Sequence, residues 1–157
     1  MLKELLLVLA LAATSSSEKP DQPDNQMQVS PLTSEDLQGL SSDRDWVNSL
    51  LEGFGSTAKL TQSREDVPTL HSLLDGGPYT ADASAELAVF GTVYGDVLAK
   101  EIGLHWVVVT DNIGSDYALQ FQDKQVFVFP RSIFLKRVER GEIERRMDNI
   151  APLLATL

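Results

Sequence analysis

The chain has 157 residues, 43% hydrophobic and 23% charged, with a formal net charge of −10 and no cysteine. That length accommodates one domain with a real core plus flanking chain, and is too short for two ordinary domains. The charge excludes a general polyanion binder, because the summed field repels nucleic acid and acidic lipid, and the lack of cysteine excludes disulfides, thiol nucleophiles and Cys-ligated zinc. The charge is uneven. Glu18 to Glu86 holds 13 acidic residues against 4 basic, whereas Arg131 to Arg146 holds 6 basic against 3 acidic.

The N-terminus reads "MLKELLLVLALAATSSSEKP". Lys3 precedes an apolar run from Leu5 to Ala13, and Ala10 and Ala12 have the small-residue spacing read by signal peptidase. Residues 1–12 are therefore expected to be a signal peptide, which places the mature protein in the periplasm or outside the cell. If the segment is instead an N-terminal amphipathic or core helix, the cytoplasm is the alternative. The run is too short for a stable membrane span. Residues 13–31, rich in Ser, Pro, Asp and Gln, are expected to form a disordered linker, and residues 32–157 a single domain.

Within that domain, "LTSEDLQGL" predicts a short helix or turn opened by Thr33 or Ser34. "SSDRDWVNSLLEGFG" predicts a second helix capped by Ser42 with Asp45 three residues on. Trp46, Leu50 and Phe54 would form its core-facing stripe, and Gly53 and Gly55 its stop. "DVPTLHSLLDGG" predicts a helix with Pro68 in its first turn and Leu70, Leu73 and Leu74 buried. "TADASAELAVFGTVYGDVLAKEIG" predicts the main helix, with Leu87, Phe90, Tyr94, Val97, Leu98 and Ile102 on one face and Gly103 at its end. Gly91 and Gly95 inside it each cost about 1 kcal/mol relative to alanine, and close approach of a neighbouring backbone would offset that cost. A phosphate-binding glycine loop needs its glycines between a strand and a helix, so it is rejected here.

The period then changes to two. Leu104 to Thr110 predicts a strand, with Trp106 and Val108 on one side and His105, Val107 and Val109 on the other. "DNIGSD" predicts a turn, "YALQFQ" a second strand, "DK" a tight hairpin and "QVFVF" a third strand ended by Pro130. The expected fold class is α+β: N-terminal helices and a long central helix packed on a three-stranded antiparallel meander, followed by C-terminal helices.

The segments "VPTLHSLLDGG", "AELAVFGTVYGDVLAKEIGLHWVVVTDNIGSDYAL" and "VFPRSIFLKRVERGE" resemble the bacterial DUF3806 family, a domain of unknown function. The resemblance covers about residues 66–147. Its most specific parts are Phe90-Gly91, the Gly-x-x-Trp of Gly103 to Trp106, the Asp-x-x-Gly of Asp111 to Gly114, and Lys136 to Glu142. At Arg131-Ser132-Ile133 the chain departs from the apolar residue and Met that such sequences often carry. The resemblance implies one α+β domain of bacterial origin and supplies no activity.

The basic stretch "FPRSIFLKRVERGEIERR" poses a choice between an anion or partner site and a solvated helix face. With Ser132 as cap, Lys136, Arg137 and Arg140 fall in one sector of about 100° in the second half of a helix. Positive charge is favourable there without any ligand, whereas an anion site needs its donors at the N-terminal end, where only Arg131 stands. The solvated face is the expectation. Were the helix to bind something, Arg131, Lys136, Arg137 and Arg140 would hold it.

Catalytic and metal chemistry have weaker support. His71 and Asp75 lie at i, i+4 without a third ligand, and His105 is expected to be buried or half-buried. No nucleophile elbow is present. Asp111, Asp116 and Asp123 fit turn chemistry better than a calcium loop, and the pairs Asp43 with Asp45 and Glu142 with Glu144 look exposed. No metal, cofactor or nucleic-acid partner is implied. Three function classes follow: a non-enzymatic binding or protein-interaction module of the envelope, an acidic inhibitor or immunity-type protein with a basic partner, and an enzyme assembled from dispersed residues. For the enzyme, His105, Asp111 and Arg131 are the residues to test.

Overall fold

The computed structural model describes residues 27–80 and 82–140. The expected signal peptide, most of the expected linker and the expected C-terminal helices beyond Arg140 lie outside them. The described elements are β1 (Gln28–Pro31), α1 (Ser34–Gly53), α2 (Asp66–Gly76), α3 (Ser84–Ile102), β2 (Leu104–Thr110), β3 (Ser115–Phe121), β4 (Phe127–Val128) and α4 (Pro130–Glu139). The strands form one antiparallel sheet in the order β1-β2-β3-β4, and the domain is α+β.

The sheet has four strands where the sequence suggested three. Gln28–Pro31, read as linker, pairs with β2 from Gln28↔Thr110 to Pro31↔Val107. As a fully exposed edge strand it needs little hydrophobicity, and an edge also tolerates Pro31. The loop between β3 and β4 is longer than a two-residue hairpin. Phe121 N–H donates to Val126 O, and Gln122 takes the left-handed conformation at φ 52°.

Helix α1 is one 20-residue helix instead of two pieces. Its cap is Thr33, whose hydroxyl accepts from Asp36 N while Thr33 N donates to the Asp36 carboxylate, a reciprocal capping box. Ser42 lies inside the helix, and its hydroxyl donates back to Gln38 O. The buried stripe is Leu40, Val47 and Leu51. Trp46 and Phe54, expected to face the core, are 36% and 63% exposed. The sequence pattern misleads because the helix turns charged residues, Asp43 and Arg44, toward its neighbours.

Helix α3 behaves as its sequence suggested. Leu87, Phe90, Tyr94, Val97 and Leu98 are buried, and Gly103 closes the helix at φ 74°, where a side chain would be strained. The main core joins α3 to Val47 and Leu51 of α1, Leu70, Leu73 and Leu74 of α2, Leu104, Leu119 and Val128 of the sheet, and Phe134 of α4. Phe90, fully buried, contributes about 2–3 kcal/mol by leaving water. On the opposite face of the sheet, Val107, Val109, Ala118 and Phe127 form a second cluster with Met27 and Phe129. Among the described residues, no helix is long and apolar enough to cross a membrane.

Helix α4 begins at Pro130, so Ser132 lies in its first turn and is not its cap. This start follows from how α4 meets α3. A Cβ built on Gly91 would lie 2.4 Å from Arg131 Cα and 2.6 Å from Pro130 O. The backbones of the two helices touch, which accounts for a glycine inside a helix. At Gly95 the neighbour is the Trp106 ring, 2.3 Å from such a Cβ.

Candidate functional site

Where α1, α3, the sheet and the start of α4 converge, polar side chains form a continuous seam. Asp96, on the apolar face of α3, is buried. Arg44 of α1 grips it with two hydrogen bonds, Nε to Oδ2 at 2.6 Å and Nη2 to Oδ1 at 2.8 Å. Trp106 Nε1 of β2 donates to the same Oδ1 at 3.0 Å. These bonds to Asp96 hold the Arg44 guanidinium above its ordinary pKa, against the opposing effect of burial. One turn earlier on α3, the hydroxyl of buried Thr92 donates to Asp43 Oδ2 at 2.6 Å. Arg131 Nη2 lies 3.9 Å from that same oxygen, and its guanidinium carbon sits 5.2 Å from the centre of the Tyr117 ring.

Tyr117 completes the seam. Its hydroxyl donates to Asp36 Oδ1 at 2.9 Å, which joins β3 to the capping box of α1. Burial first, and the Asp36 bond second, push the phenol above its ordinary pKa. Asp36 is held below the usual carboxylate value, chiefly by the Thr33 hydroxyl, with the Thr33 amide and Tyr117 adding to it. Among the described residues, every buried side-chain nitrogen or oxygen has a hydrogen-bond partner. Such a seam fixes the position of α1: its charges are satisfied in one alignment, and a shift by one turn would strand them at a cost of about 1–3 kcal/mol per group.

The residues singled out for catalysis do not come together. His105 and Asp111 stand at opposite ends of β2, roughly 20 Å apart along an extended strand. His105 is exposed, not buried or half-buried, because at this end of β2 its face carries Gln120 opposite it. Asp111 builds the β2–β3 turn, with Oδ1 accepting from Ile113 N at 2.7 Å and Gly114 N at 3.0 Å. Arg131 belongs to the seam. Asp43 is half-buried and engaged, in contrast to the exposed position expected of it. His71 is half-buried on α2 and Asp75 is exposed, and among the described residues no three His, Cys, Asp or Glu side chains group as metal ligands. Glu142 and Glu144 lie outside the described residues.

The basic helix splits. Arg131 faces α1 and Tyr117, whereas on a helical wheel Lys136 and Arg140 project about 140° and 180° away from it. Lys136 and Arg140 are exposed, and the Arg137 side chain lies outside the description. Replacing Lys136, Arg137 and Arg140 together by Gln is expected to lower stability by about 1 kcal/mol or less and to leave any partner binding nearly unchanged. Loss of binding by a variant with an unaltered melting curve would contradict this.

Sequence reasoning missed the seam, although one signal was present. Asp96 interrupts the run Val93-Tyr94-Gly95-Asp96-Val97-Leu98, a charge amid residues that all face inward. Its partner, 52 residues away on α1, carries no local mark.

A crystal structure from Bacteroides thetaiotaomicron VPI-5482 is similar in fold, with a TM-score of 0.65 at 17% identity over 87% of this chain and 50% of that one. The present chain thus spans about half the length of that protein. Among curated proteins none matches. Residues 66–147 match the profile described as "Domain of unknown function (DUF3806)", a segment that includes α2, α3, the strands β2 to β4 and α4. With more than half of its residues inside that profile, the chain belongs to the DUF3806 family.

Proposed function

We propose that this domain is a non-enzymatic binding module of the bacterial envelope that acts by contact with another protein. The observation that carries the reading is the contrast between its interior and its surface. Asp43, Arg44, Thr92, Asp96 and Arg131 are spent on one another in the seam, while α1 and its C-cap offer Trp46 and Phe54 to the outside. Large apolar side chains grouped on a surface mark interaction sites more often than catalytic ones. The separation of His105 from Asp111 further favours binding over chemistry. The envelope location is supported by the apolar run from Leu5 to Ala13 and the spacing of Ala10 and Ala12.

The test uses the purified full chain as bait in an envelope extract. The expected result is one co-eluting protein in fixed ratio to the bait. Turnover of a small-molecule or peptide substrate that is abolished by His105→Ala, Asp111→Ala or Arg131→Ala would overturn the reading in favour of an enzyme.

A further inference from the structure

We propose that the Trp46–Leu50–Phe54 flank of α1, with Tyr79 beside it, is the docking surface for a basic amphipathic segment of another protein. This rests on the binding-module reading and gives it a location and a partner chemistry.

Trp46 and Leu50 of α1 and Phe54, the residue that caps its C-terminus, recur every fourth position, so they form one ridge along the helix and its end. Leu50 packs partly against the core, but Trp46 and Phe54 remain 36% and 63% exposed. Trp46 and Tyr79 both lean on the buried Phe90 ring, with centroids 5.8 and 4.9 Å from it. A shared support of this kind holds two aromatic side chains in fixed places with one edge of each toward solvent.

The chain that follows α1 does not cover this ridge. It turns back along the other flank, where Leu60 N donates to Asn48 Oδ1 at 3.0 Å and Lys59 pairs with Glu52. On a helical wheel Asn48 lies about 160° from Trp46.

Charge identifies the occupant. Residues 27–90 carry ten carboxylates, from Glu35 to Glu86, against Arg44, Lys59 and Arg64; Asp66 is buried, Asp36 and Asp43 are held in the seam and Glu52 is paired on the other flank, which leaves six. Arg44 and Lys59 are already paired with Asp96 and Glu52. Asp45 is exposed beside Trp46, and the Glu86 carboxylate acts on the Tyr79 hydroxyl, adding to burial in raising its pKa. Carboxylates next to aromatic rings attract Lys and Arg twice, through their charge and through the ring faces. They repel an acidic segment or an anionic lipid surface. The apolar half of the segment would cover Phe54 and Leu50.

The probes are a labelled helical peptide of alternating Leu and Lys faces and its Leu/Glu counterpart, titrated with the full chain at physiological salt. The wild-type protein is expected to bind the basic peptide, more weakly as salt rises, and to leave the acidic one unbound. Phe54→Ser, which disturbs no packing in the core clusters, should weaken binding about tenfold or more. Trp46→Ala should do the same. Ile113→Ser, at a 91% exposed apolar residue on the β2–β3 turn, should change nothing. Equal binding by wild type and Phe54→Ser, or equal affinity for the two peptides, would overturn the assignment. A partner captured from extract equally by wild-type and Phe54→Ser bait would remove this surface while leaving the binding-module reading intact.

Discussion

Gly91→Ala is expected to destabilise the domain by about 1–3 kcal/mol, although alanine is the better helix former by about 1 kcal/mol. The two effects oppose each other, and geometry decides between them. The added methyl would sit 2.4 Å from Arg131 Cα and 2.6 Å from Pro130 O. Neither is the end of a flexible side chain, so relief requires α4 to move off α3. That movement would loosen Phe134, whose ring packs 6.5 Å from Phe90 and 5.8 Å from Tyr94. Gly91→Leu should cost more. Urea denaturation checks this: a midpoint at or above that of wild type would show that the two backbones do not meet at Gly91. Gly95→Ala is a useful companion, since its obstacle is the Trp106 ring. That ring can rotate only by giving up its bond to Asp96.

The second large effect is expected at the centre of the seam. Asp96→Ala removes the acceptor of three hydrogen bonds and leaves Arg44 and the Trp106 N–H without it. Breaking a buried pair by deleting one partner costs about 3–5 kcal/mol. Arg44 retains 22% side-chain exposure, so water can partly replace the lost carboxylate and about 2–4 kcal/mol is expected. Asp96→Asn keeps an oxygen for Trp106 and should cost less. A double-mutant cycle of Arg44→Met with Asp96→Asn isolates the charged contact. Coupling within experimental error of zero would mean that α1 is held by its apolar residues alone.

These two sites show what could be read from the chain and what could not. Gly91 was legible because a glycine inside a strongly periodic helix has a known cost, and a close neighbour is the simplest way to offset it. The end of α3 at Gly103 and the limits of β2 were legible because period and glycine punctuation agree there. Helix α1 was misread by one position. Trp46, Leu50 and Phe54 look more like a core stripe than Leu40, Val47 and Leu51, whose face also holds Asp43 and Arg44. Strand β1 escaped because an edge strand needs almost no apolar residues, and "QVSP" has only Val29 to offer on that account. The seam escaped for a different reason. Hydrogen bonds between residues about 50 or more positions apart leave no periodic trace in either segment.

The pairing of β1 with β2 also sets the order of assembly. Gln28 meets Thr110, so the strand nearest the start of the described chain cannot pair until β2, far along the chain, is in place. Closing a loop of that length costs several RT in chain entropy before any contact rewards it. Contacts so distant along the chain slow folding relative to a bundle of neighbouring helices. Until that loop closes, the β1 side of β2 is an open edge to which a second, unfolded chain could add.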